Sequence, residues 1–137
     1  MYLGESRQKA GIPLEDINLK IGIHGAEMWT NEMRKRIEDS LGIITHNIYG
    51  LTEVMGPGVA QECDEQNGMH IQDDHFYPEI INPETGETLD YGENGELVLT
   101  SLTKTGMPIL RFRTKDLTSL IADKCECGRT TVRMTRI

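Results

Sequence analysis

The chain has 137 residues, the size of one ordinary domain, and 37% of them are apolar while 26% are charged. These proportions are typical of a globular protein, and no apolar run approaches the roughly 18 residues that cross a bilayer. Residues 1–7 contain no apolar signal core, so a secreted protein is not expected. Three cysteines are an odd set that does not suit a disulfide framework and favours a reducing, cytoplasmic compartment.

The charge is divided unevenly along the chain, which has 14 basic and 22 acidic residues and a net charge of −8. Residues 37–103 contain 14 acids and no Lys or Arg, whereas residues 1–36 carry +1 and residues 104–137 carry +5. The basic residues are too few and too scattered for a nucleic-acid surface. Two interpretations stay open: a solvated acidic face beside a basic one, or basic residues near the end that face an anionic ligand.

The first predicted elements are a helix and a short strand. Residues 1–12 are predicted to be the last turns of a helix that ends near Gly11, because Pro13 breaks it. Residues 19–24 alternate in apolar character, which predicts a strand that ends at Gly25.

An amphipathic helix is predicted over residues 30–41, with Thr30 as its N-cap and Gly42 at its C-terminal cap. Its apolar positions recur at i, i+4 and i+8 on one face: Met33, Ile37 and Leu41. Oppositely charged pairs occupy the other faces: Glu32/Arg36, Arg34/Glu38 and Lys35/Asp39. A strand over residues 43–49 follows. This strand–helix–strand order predicts a βαβ crossover with two parallel neighbouring strands.

Beyond Gly50 the pattern changes to short strands separated by turns. The turn signals are Gly56–Gly58, Asn67–Gly68, Asn82–Gly86 and Glu93–Gly95. The strand candidates between or after them are residues 69–72, 76–81, 96–101, 108–113 and 117–121. We therefore predict an α/β chain in which a parallel βαβ unit precedes a β-rich, antiparallel or mixed half.

A polar cluster, Asn47–Glu53, directly follows the second predicted parallel strand, where α/β proteins bind ligands. Its chemistry suits a nucleotide, because Tyr49 can stack on a base and Gly50 lets backbone approach a phosphate. Thr52 offers a hydroxyl, and Glu53 can hold a hard cation. The alternative is a glycine turn followed by a helix start with Thr52 as its cap.

Two other stretches are candidates for the same site. His24–Glu27 ends the first parallel strand and is expected at the same sheet edge as the Tyr49 loop. Asp116 lies among basic residues in Arg111–Leu117, so it should be ionised and could accept two ribose hydroxyls. A surface ion-pair strand is the alternative. Thr100–Gly106 lacks the spacing of a phosphate loop and is rejected as one.

The cysteines suggest a metal site. Cys125 and Cys127 form a tight Cys-Glu-Cys-Gly hairpin, and Cys63 and His70 are the nearest upstream partners. Three thiolates and one imidazole are the donors of a closed structural zinc site. The alternative is three reduced thiols without metal. His75 competes as fourth ligand, but its acidic neighbours would raise its pKa, so His70 is favoured.

Four stretches together resemble the adenylate-forming (AMP-binding) enzyme superfamily in order and spacing: Gly25–Glu27, Tyr49–Glu53, Gly95–Leu97 and Arg111–Leu117. The longer stretch Tyr49–Gly58, with Asp74–Ile81, resembles the phenylacetate–coenzyme A ligase branch. The resemblance covers nearly the whole chain. It implies that residues 1–137 are the C-terminal part of the large N-terminal AMP-binding domain.

The resemblance also implies roles for individual residues. Those implied to bind the nucleotide are Gly25, Ala26, Glu27, Asn47, Tyr49, Gly50, Thr52 and Asp116. The first three would line the adenine pocket, Tyr49 would stack on the base, and Asp116 would accept the ribose hydroxyls. Thr52 would touch the α-phosphate and Glu53 would hold Mg²⁺, so these two are the implied catalytic residues.

The implied reaction belongs to phenylacetate catabolism and has two steps. An aryl-acetate carboxylate attacks ATP to give an acyl-adenylate, and the thiol of coenzyme A then displaces AMP. The expected partners are therefore small molecules, namely an aromatic acid, ATP and coenzyme A, with Mg²⁺ and a structural Zn²⁺ as metals. No nucleic acid and no membrane is expected.

The chain also departs from the family pattern. No phosphate loop precedes Leu19, and no lid domain with its lysine follows Ile137, so we expect an internal piece of the ligase that is inactive alone. Such a piece exposes surface that the whole enzyme covers, and self-association would follow from that. Two alternatives remain open: a free-standing, zinc-stabilised nucleotide-binding or regulatory module without catalysis, and a truncated product with no activity.

Overall fold

The computed structural model describes residues 2–54 and 56–137. Met1, at the start of the predicted first helix, and Met55, within the Tyr49–Gly58 motif, lie outside the described residues. The helices are α1 (Tyr2–Ala10) and α2 (Asn31–Leu41), with short 3₁₀ turns at Leu14–Asp16 and Thr52–Val54. Within the part of the chain that is described, no helix is long and apolar enough to cross a membrane.

The strands are β1 (Ile21–His24), β2 (Ile44–Leu51), β3 (Gly56–Glu62), β4 (Met69–Ile71), β5 (Phe76–Ile81), β6 (Gly95–Ser101), β7 (Phe112–Thr118), β8 (Leu120–Ile121) and β9 (Arg133–Met134). The chain divides into two compact units, Met1–Asn47 and Ile48–Ile137, and β2 runs through the boundary. The α/β prediction, with a parallel unit followed by a sheet-rich half, is confirmed. The assignment of residues 1–137 to one partial domain stays a prediction.

The first unit contains the predicted βαβ crossover. β1 and the start of β2 pair in parallel, with Ile21 opposite Ile44 and His24 opposite Asn47. The Thr30 hydroxyl caps α2 by accepting from the Met33 N–H at 3.2 Å. These local predictions are correct because a side-chain cap and a strand–helix–strand order need few distant contacts.

Within this unit, Ile37 and Leu41 of α2 are buried and form a small apolar cluster with Ile43. Arg34 is also buried, at 6% exposure, and donates to the Thr45 carbonyl at 3.0 Å. Arg34, predicted to form an i,i+4 pair with Glu38, thus also has a buried backbone acceptor on β2. The exposed Lys35–Asp39 pair, at 2.9 Å, is as predicted.

The second unit has two sheets. One has the order β2-β3-β4-β9-β8 and is antiparallel throughout, and the other is the antiparallel sheet β5-β6-β7. A single buried cluster includes side chains from both sheets: Val54, Val59, Ala60, Met69, Ile71, Phe76, Ile80, Leu97, Leu99, Leu120 and Met134. This apolar core is what holds the second unit together.

The predicted strand 117–121 is divided, because β7 ends at Thr118 and β8 pairs with β9 in the other sheet. Three further points about turns and strands also need correction. The Gly56–Gly58 stretch, predicted as a turn, begins β3, and β9 was not predicted at all. The predicted strand 108–113 is wrong for its first four residues, since β7 begins at Phe112 and continues through residues 114–116. Glycine and proline usually mark turns, but here β3 is paired on both sides, and tertiary pairing overrides the local signal.

Candidate functional site

The second half of β2 and the acid on β7 meet in the second unit. The prediction that Asn47–Glu53 follows the strand is wrong for its first five residues, because pairing with β3 extends β2 to Leu51. The Tyr49 hydroxyl donates to Asp116 Oδ2 at 2.6 Å, although the two residues are 67 positions apart. Both side chains are half-buried. Among the described residues no hydrogen bond reaches Asp116 Oδ1, so one oxygen of this carboxylate is left as an acceptor.

The environment of Tyr49 keeps its phenol protonated. Burial raises the pKa of Tyr49 well above its ordinary value, and the hydrogen bond to Asp116 raises it further. Because the phenol stays protonated at neutral pH, it can donate this hydrogen bond to Asp116, and the contact fixes the position of the ring. The Tyr49 ring is therefore held in one place by its hydroxyl.

A bulge in β7 sets the position of Asp116. Pairing passes from Glu96–Leu117 to Val98–Arg113, so β7 uses four steps where β6 uses two. Lys115 lies in this bulge with φ +67°. Such a bulge re-aims the side chain that follows it, which here is Asp116.

Glu96 fixes the bulge from inside the sheet. It is 3% exposed, and its carboxylate accepts from the Lys115 backbone N–H at 3.1 Å and from Arg113 Nε at 3.0 Å. The hydrogen bond from Arg113 holds the pKa of Glu96 below its usual value, against the effect of burial. Glu96 is therefore a charged, buried support for the segment that carries Asp116.

Thr52 and Glu53 lie in the exposed 3₁₀ turn at the end of β2. The Lys104 ammonium donates to the Glu53 backbone carbonyl at 2.8 Å, which brings the β6–β7 loop to this turn. The Lys104 ammonium thus contacts the backbone of a turn whose residues carry a hydroxyl and a carboxylate side chain. Oxygen donors of this kind suit a hard cation, and the lysine suits an anion.

Close packing within the second unit explains why residue 50 is a glycine. A Cβ at this position would lie 2.3 Å from the Gly56 carbonyl oxygen and 2.7 Å from Pro57 Cα. The close approach that glycine permits is therefore to the backbone of β3. A role for Gly50 in nucleotide binding stays a prediction.

The remaining predicted nucleotide residues lie in the first unit. Gly25, Ala26 and Glu27 follow β1 in an exposed turn, and Ala26 has φ +70°. Asn47 pairs with His24, the last residue of β1, so the turn leaves the sheet next to Asn47. Their part in an adenine pocket stays a prediction.

The predicted metal ligands converge in the second unit. Their ligand atoms all lie within 4.8 Å of one another, and we call this set the Cys₃His cluster: Cys63, His70, Cys125 and Cys127. The Cys63 and Cys125 sulfurs are 3.7 Å apart, and His70 Nε2 is 3.4 Å from the Cys127 sulfur. His75 lies elsewhere, with its Nδ1 2.8 Å from the Thr103 hydroxyl.

The electrostatics of the cluster differ from one side chain to another. Burial lowers the pKa of His70, with Arg129 and Arg133 adding to the effect, so the imidazole is neutral at pH 7. The Arg129 backbone N–H lowers the pKa of the Cys127 thiol. Burial raises the pKa of Cys63. A neutral imidazole and thiols are suitable metal donors, since a thiol binds metal as its thiolate.

The sequence did not predict the contacts that two side chains make near these residues. Lys104 sits in a stretch rejected as a phosphate loop, yet its ammonium reaches the Thr52–Glu53 turn. A signal for it was available, since it is the first Lys or Arg after a basic-free stretch of residues 37–103. Glu96 belongs to the Gly95–Leu97 motif, but its supporting role was missed, because a buried acid in a strand is indistinguishable from a surface one in the sequence.

These contacts and the fold define a class of protein. An open structure of 2-hydroxyisobutyryl-CoA ligase with 2-HIB-AMP and CoA superposes with a TM-score of 0.88 at 25% identity. The match covers 97% of this chain and 30% of that one. The chain therefore has the fold of a section of an adenylate-forming CoA ligase.

Curated relatives narrow this class. The chain is 50% identical over 133 residues to a phenylacetate-coenzyme A ligase of Thermus thermophilus, covering 96% of this chain and 30% of the relative. It is 54% identical over 122 residues to the enzyme of the same name from Pseudomonas putida, covering 88% and 28%. No family model matches. The resemblance to the phenylacetate–coenzyme A ligases is confirmed, and this chain spans about 30% of their length.

Proposed function

We propose that this chain is the nucleotide-site section of a ligase that joins phenylacetate, or a similar aromatic acid, to coenzyme A at the expense of ATP. The observation that carries the proposal is the Tyr49–Asp116 contact, in a chain 50% identical to phenylacetate-coenzyme A ligases. The names of these relatives suggest the acid and the thiol. The 2-hydroxyisobutyryl-CoA ligase complexed with 2-HIB-AMP and CoA supports an adenylate and a thioester step.

In this proposal Tyr49 and Asp116 hold the nucleoside. The Tyr49 ring is anchored by its hydroxyl, which leaves its face for an adenine base. The second oxygen of Asp116 is an acceptor for the neighbouring hydroxyls of a ribose. The family resemblance further assigns adenine binding to residues of the first unit, namely Gly25, Ala26, Glu27 and Asn47.

The phosphate end of ATP is assigned to the Thr52–Glu53 turn. The Thr52 hydroxyl would donate to the α-phosphate, and the Glu53 carboxylate would hold Mg²⁺, whose charge would offset that of the phosphate oxygens. The exposed oxygen donors of this turn fit such an ion. The adjacent Lys104 adds a positive charge to the same region.

The proposed reaction has two displacements. A carboxylate oxygen of the aromatic acid attacks the α-phosphorus of ATP, and pyrophosphate leaves. The thiol of coenzyme A then attacks the acyl carbon, and AMP leaves with the bonding electrons. We place the reaction in the cytoplasm, since the three cysteines are free and such a compartment keeps them reduced.

We further propose that this section alone does not form the acyl-adenylate, because it spans about 30% of the relatives' length. The exposed face of the parallel pair supports a place in a larger sheet. Ile21, Ile23 and Ile44 are 59%, 69% and 56% exposed, whereas parallel strands are normally covered on both faces. The same face makes self-association of the isolated chain an expected property.

Nucleotide titration tests the proposal. The chain is titrated with AMP and with Mg²⁺–ATP by isothermal calorimetry. Asp116→Ala is compared with Asp90→Ala, in which the replaced aspartate is exposed in the connection between β5 and β6. We expect Asp116→Ala to weaken binding about tenfold or more, since a charged hydrogen bond is lost, and Asp90→Ala to have no effect. Equal binding by the two variants would contradict the proposal.

A second candidate is a nucleotide-binding or regulatory module without catalysis. The Cys₃His cluster favours it, because it lies in the same unit as Tyr49 and Asp116 and could stabilise that unit independently. The reading frame of the gene on both sides of these residues distinguishes the ligase from the regulatory module. A phosphate loop upstream and a lid domain downstream support the ligase, and a frame confined to these residues supports the module.

A further inference from the structure

The Cys₃His cluster is formed by two segments that are distant in the sequence. Cys63 and His70 belong to the β3–β4 hairpin, and Cys125 and Cys127 belong to the connection between β8 and β9. Three of the four side chains are buried, and Cys127 is half-buried. The ligand atoms therefore face one another in a small region closed to solvent on most sides.

The backbone around the cysteines forms two similar turns. The Gln66 N–H donates to the Cys63 carbonyl at 3.0 Å, and the Gly128 N–H donates to the Cys125 carbonyl at 3.0 Å. Gln66 and Gly128 both have positive φ, of 51° and 83°. Each turn thus begins at a cysteine and ends in a left-handed residue, so the first sulfur of each is presented by a fixed backbone.

The distances fit a tetrahedral ion. A zinc ion with bonds of about 2.3 Å to sulfur and 2.0 Å to nitrogen separates two sulfurs by about 3.8 Å, and a sulfur from a nitrogen by about 3.5 Å. The corresponding distances here are 3.7 Å between Cys63 and Cys125, and 3.4 Å between Cys127 and His70. With no pair beyond 4.8 Å, small side-chain rotations complete the tetrahedron.

The hydrogen bonding of His70 selects the ligating nitrogen. Its Nδ1 lies 2.9 Å from the Thr131 hydroxyl, which leaves Nε2 directed at the Cys127 sulfur. A histidine that binds metal through Nε2 carries its proton on Nδ1, and a hydroxyl oxygen is a suitable acceptor for that proton. Thr131 therefore orients the imidazole for coordination.

The surrounding charges balance a zinc–trithiolate group. Three thiolates and Zn²⁺ sum to −1, and Arg129 Nη1 lies 3.9 Å from the Cys127 sulfur. The guanidinium of the buried Arg133 donates to the Asn67 and Asp123 carbonyls, one in each of the two segments. Positive charge is thus available on the same two segments that carry the ligands.

We propose that the Cys₃His cluster binds one Zn²⁺ in a closed structural site that fastens the β8–β9 connection to the β3–β4 hairpin. Across residues 122–132, all of which are described, Cys125 is the single buried residue. This connection has little apolar surface to bury, and metal coordination supplies the stabilisation that a core supplies elsewhere. Thiolate-rich tetrahedral donors favour zinc over Mg²⁺ or Ca²⁺.

Metal content is the first test. The chain is purified under reducing conditions, loaded with Zn²⁺, passed through a desalting column and measured by mass spectrometry of the elements. We expect one zinc per chain, and X-ray absorption with three sulfurs and one nitrogen in the first shell. Less than half an equivalent after loading, or stoichiometric iron in its place, would overturn the proposal.

Ligand variants form the second test. Cys127→Ser and His70→Ala should each weaken Zn²⁺ binding more than tenfold in a chelator competition, whereas His75→Ala, the matched control, should not change it. Because a variant could fail to fold, His70→Cys is included, and it should retain one zinc through a fourth thiolate. Equal zinc affinity of His70→Ala and His75→Ala would contradict the assigned ligand set.

Hydrogen–deuterium exchange provides the third test and reports the role of the metal. Removal of zinc from the intact chain should speed exchange at least tenfold at the amides around residues 63–70 and 122–132, with no change in β5–β7. Unchanged exchange in both ligand segments would overturn the fastening role. Mass spectrometry of the reduced chain accompanies it, and a Cys63–Cys125 disulfide that survives reduction would also contradict the proposal.

Discussion

The β5–β7 sheet and the 122–132 connection lie in the same unit but are held in place by different interactions. The sheet has continuous pairing and contributes Ile80, Leu97 and Leu99 to the apolar core. The connection has one buried residue, and that residue is a proposed metal ligand. Burial of apolar surface stabilises the first, while we propose that the second depends on metal coordination by the Cys₃His cluster.

The difference between the sheet and the connection also affects what we expect of the candidate site. Asp116 lies on β7, within the sheet that we expect to be independent of zinc. Its position depends on the bulge that Glu96 supports. If the two regions are as different as their contacts indicate, loss of metal should leave the Tyr49–Asp116 pair intact. Four predictions follow, in order of decreasing effect.

The largest effect is expected from Leu97→Ala. Leu97 is fully buried in β6, and deleting a core side chain of this size costs about 2–5 kcal/mol of unfolding free energy. Urea unfolding measures this loss, and it should be equal with and without zinc. Leu102→Ala is the control, because Leu102 is 55% exposed and its loss should cost less than about 0.5 kcal/mol. A zinc-dependent cost of Leu97→Ala would show that the two regions are coupled.

Thr131→Val should weaken zinc binding by about 10- to 100-fold, because it removes the acceptor that orients His70. Competition with a chromogenic chelator measures the affinity. Thr130→Val, at an exposed neighbouring position, is the matched control and should bind zinc normally. Equal affinities would show that the Thr131 hydroxyl has no orienting role.

Glu96→Gln should lower the unfolding free energy by about 1–2 kcal/mol at pH 7, since a buried charge-assisted contact to Arg113 is weakened. Arg113 holds the pKa of Glu96 below its unfolded value of about 4.3, so the contribution is full above that pH. It is lost as the pH falls through the folded pKa.

The wild-type chain should therefore lose stability below about pH 4.3, and Glu96→Gln should lack that component. Glu84→Gln, in the exposed β5–β6 turn, serves as the control and should keep the wild-type profile. Parallel pH profiles for wild type and Glu96→Gln would contradict the assignment. Nucleotide affinity of the same variant reports whether the bulge positions Asp116.

The smallest effect is expected from Arg111→Ala. Arg111 Nε lies 3.1 Å from Glu79 on the same sheet, but the arginine side chain is 58% exposed. Solvent and salt screen such a pair, so its removal should change the unfolding free energy by less than about 0.5 kcal/mol. A loss above 1 kcal/mol, measured by urea unfolding, would contradict this estimate of the sheet's surface pairs.

Local signals were sufficient where a structure depends on near neighbours. The bounds and caps of α2 follow from Thr30, Gly42 and an apolar stripe, and they agree with the structure. The start of β3 was not predicted, because Gly56–Gly58 is typical of a turn. Its strand conformation depends on pairing with β2 and β4. The β7 bulge was not predicted either, because the register that defines it depends on both β6 and β7.

The sequence by itself determined the set of ligand types and the motifs of the candidate site, because residue chemistry and short spacings are written directly in it. Only the tertiary structure decided which of these residues meet. Tyr49 and Asp116 lie 67 residues apart, and Cys63 and Cys125 lie 62 apart, so their contacts depend on how the sheets of the second unit pair. The tertiary structure likewise decided in favour of His70 over His75, since β4 brings only the former to the three cysteines among the described residues.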